Sequence, residues 1–165
     1  MTDWQNNDGL KVRFGLSKSA VVSSGELEVD GDLREVVIHI ADATLIPATA
    51  SSTPITTEVG IPDNAYIDSV TVYPSVAFTS GGAATLDVGL WNDDGDGTYS
   101  TNDDNGLVAA AAIADLQAND KTAGAGAQVL TRVQGTGNRP LYVSYGYGTA
   151  VYTAGTADIV IRYRA

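Results

Sequence analysis

Short segments in which apolar and polar residues alternate are the feature that most constrains this chain. In residues 11–16, Val12, Phe14 and Leu16 fall on one side of an extended strand and two basic residues on the other, the period-two pattern of a half-buried strand. The pattern recurs between clusters of Gly, Pro, Asn and Asp. The predicted strands are residues 11–16, 34–40, 65–78, 85–91, 128–133, 141–147 and 157–164, with a hairpin or loose edge strand within 21–29 and an edge strand near 55–59.

A proline interrupts the longest of these segments. Pro74 lies within residues 65–78, on the face that also carries Val72, Val76 and Phe78. Proline cannot donate a hydrogen bond to a neighbouring strand, so it is confined to edges and bulges. We therefore expect a bulge or an edge position at Pro74.

Residues 107–117 form the one segment predicted to be helical. The segment is rich in Ala and follows Asp103-Asp104-Asn105-Gly106, which is typical of a capped helix start. About eight short strands and one short helix predict an all-β protein, a jelly-roll-like or Greek-key β-sandwich. We expect residues 1–10 to be an N-terminal arm and residues 11–165 a single domain.

Composition restricts the function. The chain has 165 residues and a formal net charge of −11, so a phosphate backbone would be repelled and no direct nucleic-acid partner is expected. It has no Cys, which excludes disulfides, thiolate metal sites and a cysteine nucleophile. No segment approaches the roughly 18 apolar residues of a membrane span, and no membrane partner is expected. The start lacks the features of a signal peptide, so we expect synthesis in the cytoplasm.

Catalytic motifs are absent from the sequence. His39 is its single histidine and lies mid-strand, without a nucleophile motif such as G-x-S-x-G. Gly124, Gly126, Gly135 and Gly137 lack the Gly-Lys-Ser/Thr of a phosphate loop. The 16 Asp and 4 Glu offer carboxylate pairs for glycoside hydrolysis, but only 7% of residues are aromatic, too few for a convincing sugar platform. The sequence predicts a protein that binds and assembles, and no enzyme.

An Asp-rich stretch carries the strongest local chemistry. On the template of an EF-hand loop, Asn92, Asp94 and Asp96 occupy positions 1, 3 and 5, Gly97 position 6 and Asp103 position 12. The first ligand is Asn, the last is Asp, which is shorter than the Glu of an EF-hand, and a strand rather than a helix precedes the loop. The stretch is therefore no EF-hand. Two interpretations stay open: a calcium-binding loop, and a solvated Asp/Gly turn. No cofactor is expected to be required, and Ca²⁺ is the single candidate.

Three aromatic residues are the predicted interface residues. Trp4 lies in the polar N-terminal arm, where termini stay loose unless they dock, so it is either an anchor for a partner or packed on its own core. Trp91 and Tyr142 fall on the outward faces of their strands, as do Val37 and Val160. A contiguous patch of such residues would be a partner surface.

Five phrases spread along the chain form a recognisable set. They are GLKVRFG at 9–15, IPDNAYI at 61–67, LDVGL at 86–90, DNGL at 104–107 and AGTADIVIRY at 154–163. Together they resemble small structural proteins of tailed bacteriophages, the capsid cement or decoration type. The resemblance implies a β-sandwich or jelly-roll subunit, a homotrimer without catalytic residues, that stabilises the capsid by bridging subunits of the major capsid protein on its outer surface. The Asp-rich stretch departs from the tighter turn of this family.

Charge agrees with an outer position. An acidic protein is repelled by DNA packed inside a head, so the outer capsid surface of the virion is the expected location. The alternative is a receptor- or glycan-binding head of a phage tail fibre or spike, with a sugar-stacking surface formed by Tyr142, Tyr145, Tyr147 and Tyr152. Such a head should follow a shaft sequence, which is absent here, and this favours the decoration type.

Overall fold

Two antiparallel β-sheets make up the fold, which confirms the all-β class. The computed structural model describes residues 33–49, 54–55 and 60–165, and the backbone of three earlier strands. The strands are β1 Thr2–Gln5, β2 Lys11–Phe14, β3 Ser24–Glu28, β4 Leu33–Ile40, β5 Tyr66–Ser80, β6 Thr85–Asp93, β7 Tyr99–Ala112, β8 Thr122–Ala123, β9 Leu141–Gly148 and β10 Tyr152–Arg164. Short 3₁₀ helices span Ala43–Leu45, Ile113–Asp115 and Thr136–Asn138. Among the described residues, no helix has the length and apolarity that crossing a membrane requires.

The sheets differ in size and pack through one core. The large sheet has the order β1-β2-β3-β4-β10-β5-β8, and the small sheet has the order β7-β6-β9. In the large sheet, Ile159 of β10 pairs with Ile38 of β4 and Val72 of β5. These residues and Leu86 and Leu90 of β6 are fully buried in a single hydrophobic cluster, whose burial supplies the main driving force for folding. The result is a β-sandwich, while jelly-roll or Greek-key connectivity and the division into arm and domain stay predictions.

The predicted irregularity at Pro74 is confirmed as a bulge. From the pair Ala157–Pro74 to the pair Thr156–Val76, β5 advances two residues while β10 advances one, so β5 has one extra residue. A second extra residue of β5 lies between Val76 and Thr79, since Thr79 pairs with Ala154. Each extra residue reverses the face on which the following side chains lie. Val76 lies between the two bulges and is therefore 50% exposed. The prediction that it shares the buried face of Phe78 was wrong.

The predicted helix over residues 107–117 is also wrong. Strand β7 runs through Ala112, and only Ile113–Asp115 forms a single 3₁₀ turn. Ala111 pairs with Leu86 of β6, so strand pairing overrides the intrinsic helix propensity of Ala. Ala110 has φ of 51°, a left-handed conformation that a right-handed helix excludes.

The segment 128–133 is not a strand, contrary to prediction. It turns at Leu130, which has φ of 63°, and only Tyr66 and Arg132 form an isolated bridge. Backbone bonds from Ile67 N to Thr131 O and from Val133 N to Ala65 O, both 2.9 Å, tie it to the start of β5. The other predicted strands correspond to β2 to β6, β9 and β10. Parts of three predictions lie outside the described residues: 15–16 of the first strand, 21–23 and 29 of the predicted hairpin, and 56–59 of the predicted edge strand.

Candidate functional site

The Asp-rich loop (residues 92–103) forms the hairpin between β6 and β7, and its tip, residues 94–98, is exposed. Local hydrogen bonds shape it. Asp94 Oδ1 accepts from Ser100 Oγ at 2.8 Å, and Asp96 Oδ1 accepts from the backbone N of Thr98 at 3.0 Å. Hydrogen bonds from the hydroxyl and then the backbone of Thr98 lower the pKa of Asp96, so this carboxylate stays ionised. The tip therefore presents fixed negative charge.

The predicted calcium ligands point to separate partners. Asn92 Oδ1 accepts from Asn102 Nδ2 at 2.9 Å, and Asp103 Oδ1 accepts from the backbone N of Asn105 at 3.3 Å. No three His, Cys, Asp or Glu side chains among the described residues are grouped as a metal site requires. Calcium would have to replace these local bonds. Calcium binding by Asn92, Asp94, Asp96 and Asp103 stays a prediction.

The calcium hypothesis has a direct test. It predicts heat on addition of Ca²⁺ and a rise in melting temperature, since a ligand at 100 times its Kd stabilises the folded state by about 2.7 kcal/mol. The double variant Asp94→Asn, Asp96→Asn should lose both signals, and Asp120→Asn, an exposed carboxylate outside the loop, should keep them. Calorimetry without heat and an unchanged melting temperature would refute the hypothesis.

Two of the predicted interface residues lie side by side on the small sheet. Trp91 of β6 pairs with Tyr142 of β9, and the ring of Tyr99 meets that of Tyr142 edge-on, with centroids 5.6 Å apart. We call these three partly exposed residues the aromatic patch. Burial, with Asp93 and Tyr99 nearby, raises the pKa of Tyr142, so its hydroxyl stays a donor. Sequence reasoning missed Tyr99, which only the hairpin pairing brings to the patch.

The predicted sugar-stacking surface of four tyrosines does not form. Tyr145 is 7% exposed and Tyr152 is 3% exposed, and Tyr152 packs edge-on against Phe78 with centroids 5.1 Å apart. Tyr147 is half-buried against the core. Only Tyr142 lies outside, because alternation along β9 and β10 directs the others inward.

His39 lies on the open outer face of the large sheet. Its Nδ1 is 2.7 Å from Asp158 Oδ1, and both side chains are at least 40% exposed. The pair spans adjacent strands, in register between β4 and β10. Apart from this pair, the described residues place no further hydrogen-bond partner at His39. The arrangement is a solvated cross-strand pair.

The third predicted interface residue, Trp4, belongs to a row of apolar residues across the N-terminal strands. Trp4 of β1 pairs with Val12 of β2, and Val12 pairs with Leu27 of β3. Leu27 in turn pairs with Glu35 of β4. The register therefore aligns these three positions with Glu35 across β1 to β4. We call Trp4, Val12 and Leu27 the N-terminal apolar row.

A second register row across the same strands consists of charged residues. Asp3 pairs with Arg13, Arg13 with Glu26, and Glu26 with Val36, which is buried in the core. The next row along contains Lys11 paired with Glu28. The register thus aligns the charged positions of β1 to β3 with the buried Val36 of β4, and the N-terminal apolar row with the partly exposed Glu35. Sequence reasoning did not find this alignment.

Comparisons with known proteins give a fold relationship. No protein-family model and no curated protein matches the sequence. A chain of the cyanophage Pam1 capsid asymmetric unit superposes with a TM-score of 0.53 and 15% identity, over 92% of this chain and 96% of that chain. A chain of the capsid of Ralstonia phage GP4 gives a TM-score of 0.52 and 19% identity, over 83% of this chain and 86% of that chain. The fold of this chain is therefore one that also occurs in two phage capsid structures.

Proposed function

We propose that this protein is a structural component of a tailed-phage virion that binds the assembled capsid. One observation carries the proposal: the fold of a chain in a phage capsid asymmetric unit matches 92% of this chain and 96% of its own length. Such coverage relates the two as whole units, beyond a shared hairpin or sheet. The sequence resemblance to cement and decoration proteins points the same way.

The finer proposal is a decoration role. A homotrimer on the outer capsid surface would bridge major capsid protein subunits and stabilise the shell, because a protein that binds only the assembled state shifts the equilibrium toward that state. The net charge of −11 supports an outer location, away from packed DNA. No step of this role needs catalysis.

The N-terminal apolar row is the surface we assign to the capsid. In the sheet register this row aligns with Glu35, the partly exposed neighbour of the buried Val36. Trp is enriched among residues that dominate binding energy, and Trp4 occupies this row. The aromatic patch is a second candidate contact, on the other sheet.

Fractionation of virions tests the location. Purified virions of the phage that encodes the protein are separated into heads and tails, and each fraction is quantified by mass spectrometry. We expect the protein in the head fraction, in a number comparable to the major capsid protein, and removable without loss of packaged DNA. Recovery with the tails would overturn the capsid proposal in favour of the tail-fibre or spike alternative.

Replacement of Trp4 tests the assigned surface. Trp4→Ala should weaken binding to capsids about 30-fold, the effect of losing an interface residue worth about 2 kcal/mol, and should leave the melting temperature unchanged within about 2 °C. Co-sedimentation of the purified chain with capsids that lack it measures the affinity. Leu130→Ala, which removes a 64% exposed apolar side chain elsewhere, is the matched control. Unchanged affinity of Trp4→Ala would contradict the assignment.

A further inference from the structure

A groove opens between the start of β5 and the end of β10. Its volume is about 450 Å³, and its walls are Tyr66, Asp68, Arg132, Arg164 and Ala165. Two guanidinium groups therefore line a groove that also contains one aspartate side chain. Two of the 9 Lys and Arg residues of a chain of net charge −11 thus meet in one groove.

The two arginines of the groove differ in how their charge is balanced. Arg164 Nη2 lies 3.0 Å from Asp68 Oδ1, so this pair is neutral. Arg132 donates from Nη1 to the carbonyl oxygen of Asn64 at 2.9 Å. No carboxylate of the described residues lies within 4.0 Å of Arg132, whereas Arg139, Arg162 and Arg164 each have one. Arg132 therefore offers guanidinium donors that no carboxylate of the described residues uses to a carboxylate from outside.

The Asp-rich loop of the same protein presents the matching group. Asp94 and Asp96 accept hydrogen bonds through Oδ1 only, and no bond from the described residues reaches either Oδ2 atom. Both side chains are exposed at the tip. The loop is also braced, since the Arg139 guanidinium lies 3.6 Å from Asp93 and fills the space that a Cβ on Gly95 would need. A braced loop loses little conformational entropy when it binds.

We propose that the tip of the Asp-rich loop in one copy inserts its carboxylates into the Arg132 groove of a second copy. Arginine and carboxylate pair through two parallel hydrogen bonds, which fixes geometry as well as charge. A second copy is the occupant because the chain itself supplies the complement, and because a cation of one copy that meets an anion of the other offsets part of the repulsion between two chains of charge −11. The contact joins different surfaces of the two copies, and such a contact closes into a ring of three where each copy is rotated by about 120° from the next. The inference rests on the proposed homotrimer and names its contact.

Charge exchange tests the contact in solution without capsids. By light scattering after gel filtration, the wild-type chain should have a mass of about 51 kDa, three times the 17.1 kDa of one chain. Arg132→Glu should raise the dissociation constant of the trimer at least tenfold, and so should the double variant Asp94→Lys, Asp96→Lys. The combination of all three substitutions should restore the wild-type constant within threefold. Salt at 1 M should weaken the wild-type trimer, because it shortens the screening length to about 3 Å.

Lys121→Glu is the control for charge alone. This substitution changes the net charge by the same amount as Arg132→Glu. Lys121 lies outside the groove, with its Nζ 6.0 Å from the centre of the Tyr73 ring, so Lys121→Glu should leave the trimer intact. A monomeric wild type overturns the homotrimer and this contact together, while virion fractionation still decides capsid association. A trimeric wild type whose folded Arg132→Glu variant also stays trimeric overturns the contact alone. A combined variant that folds but stays monomeric overturns it as well.

Discussion

Replacement of Gly89 by alanine is expected to lower the free energy of unfolding by about 3 kcal/mol or more, the upper range for overpacking a well-packed site. Gly89 lies in the middle of β6 and is buried. A Cβ there would lie 2.1 Å from the carbonyl oxygen of Asp103 and 2.3 Å from the carbonyl carbon of Asp104. Both atoms belong to the backbone, so no side-chain rotation relieves the contact. One of the two strands has to move.

The cause is an insertion in β7. Between the pairs Leu90–Asp103 and Val88–Val108, β6 advances two residues and β7 advances five. The extra residues of β7 cross over Gly89, and they connect directly to the Asp-rich loop. A shift at Gly89 should therefore reach the loop as well as the core.

Urea unfolding measures the effect on stability. Gly81→Ala is the matched control, because Gly81 has no atom within 4 Å of the added Cβ and no left-handed φ; its stability should stay within about 0.5 kcal/mol of wild type. Equal midpoints for the two variants would contradict the crossing of β7 over Gly89. A lower trimer content in Gly89→Ala than in Gly81→Ala would further link this crossing to the proposed loop contact.

Local alternation predicted most strands but not what covers their faces. In residues 11–16 the pattern predicted a strand, and the structure has β2 at Lys11–Phe14. An apolar side looks the same in sequence whether it faces its own core or a partner. Only the register shows that Leu27 pairs with Glu35 and not with the buried Val36.

Register also decides which candidate residues meet. Trp91 and Tyr142 were each predicted to be outward, yet their contact depends on pairing between strands about 50 residues apart in sequence, and Tyr99 joins them through the β6–β7 hairpin. The Arg132 groove depends likewise on the bridge between Tyr66 and Arg132, in a segment predicted to be a regular strand. Long-range pairing of this kind leaves no local periodic signal.

The helix predicted over residues 107–117 failed for a different reason. Its Ala-rich composition reports intrinsic preference, which is worth well below 1 kcal/mol per residue. Leu107 and Val108 are both fully or almost fully buried, and their burial contributes about 1.5–3 kcal/mol each. The β-strand conformation that buries these two side chains is therefore more stable than the helix.

Removal of the Asp87 carboxylate is expected to cost about 3 kcal/mol, because hydrogen bonds to a buried charged group contribute about 1.5–3 kcal/mol and leave unsatisfied donors when broken. Asp87 lies on the outer face of β6 yet is only 7% exposed. Its Oδ1 accepts from the backbone N of Ala110 in β7, and its Oδ2 accepts from Thr49 Oγ1, both at 2.8 Å. One carboxylate thus joins β7 to the segment that precedes β5, across β6.

Comparison of Asp87→Ala with Asp87→Asn separates loss of the group from loss of one acceptor. Asparagine keeps the shape and one acceptor oxygen, but its amide nitrogen must face a donor. The free energy of unfolding of Asp87→Asn should therefore lie between that of Asp87→Ala and that of the wild type, clearly below the wild type. Asp115→Ala, which truncates an exposed carboxylate, should change the free energy of unfolding by no more than about 0.5 kcal/mol. If Asp87→Ala unfolds at the same urea concentration as Asp115→Ala, the bond across β6 contributes nothing, and the outer face of the small sheet must be held by its strand pairing alone.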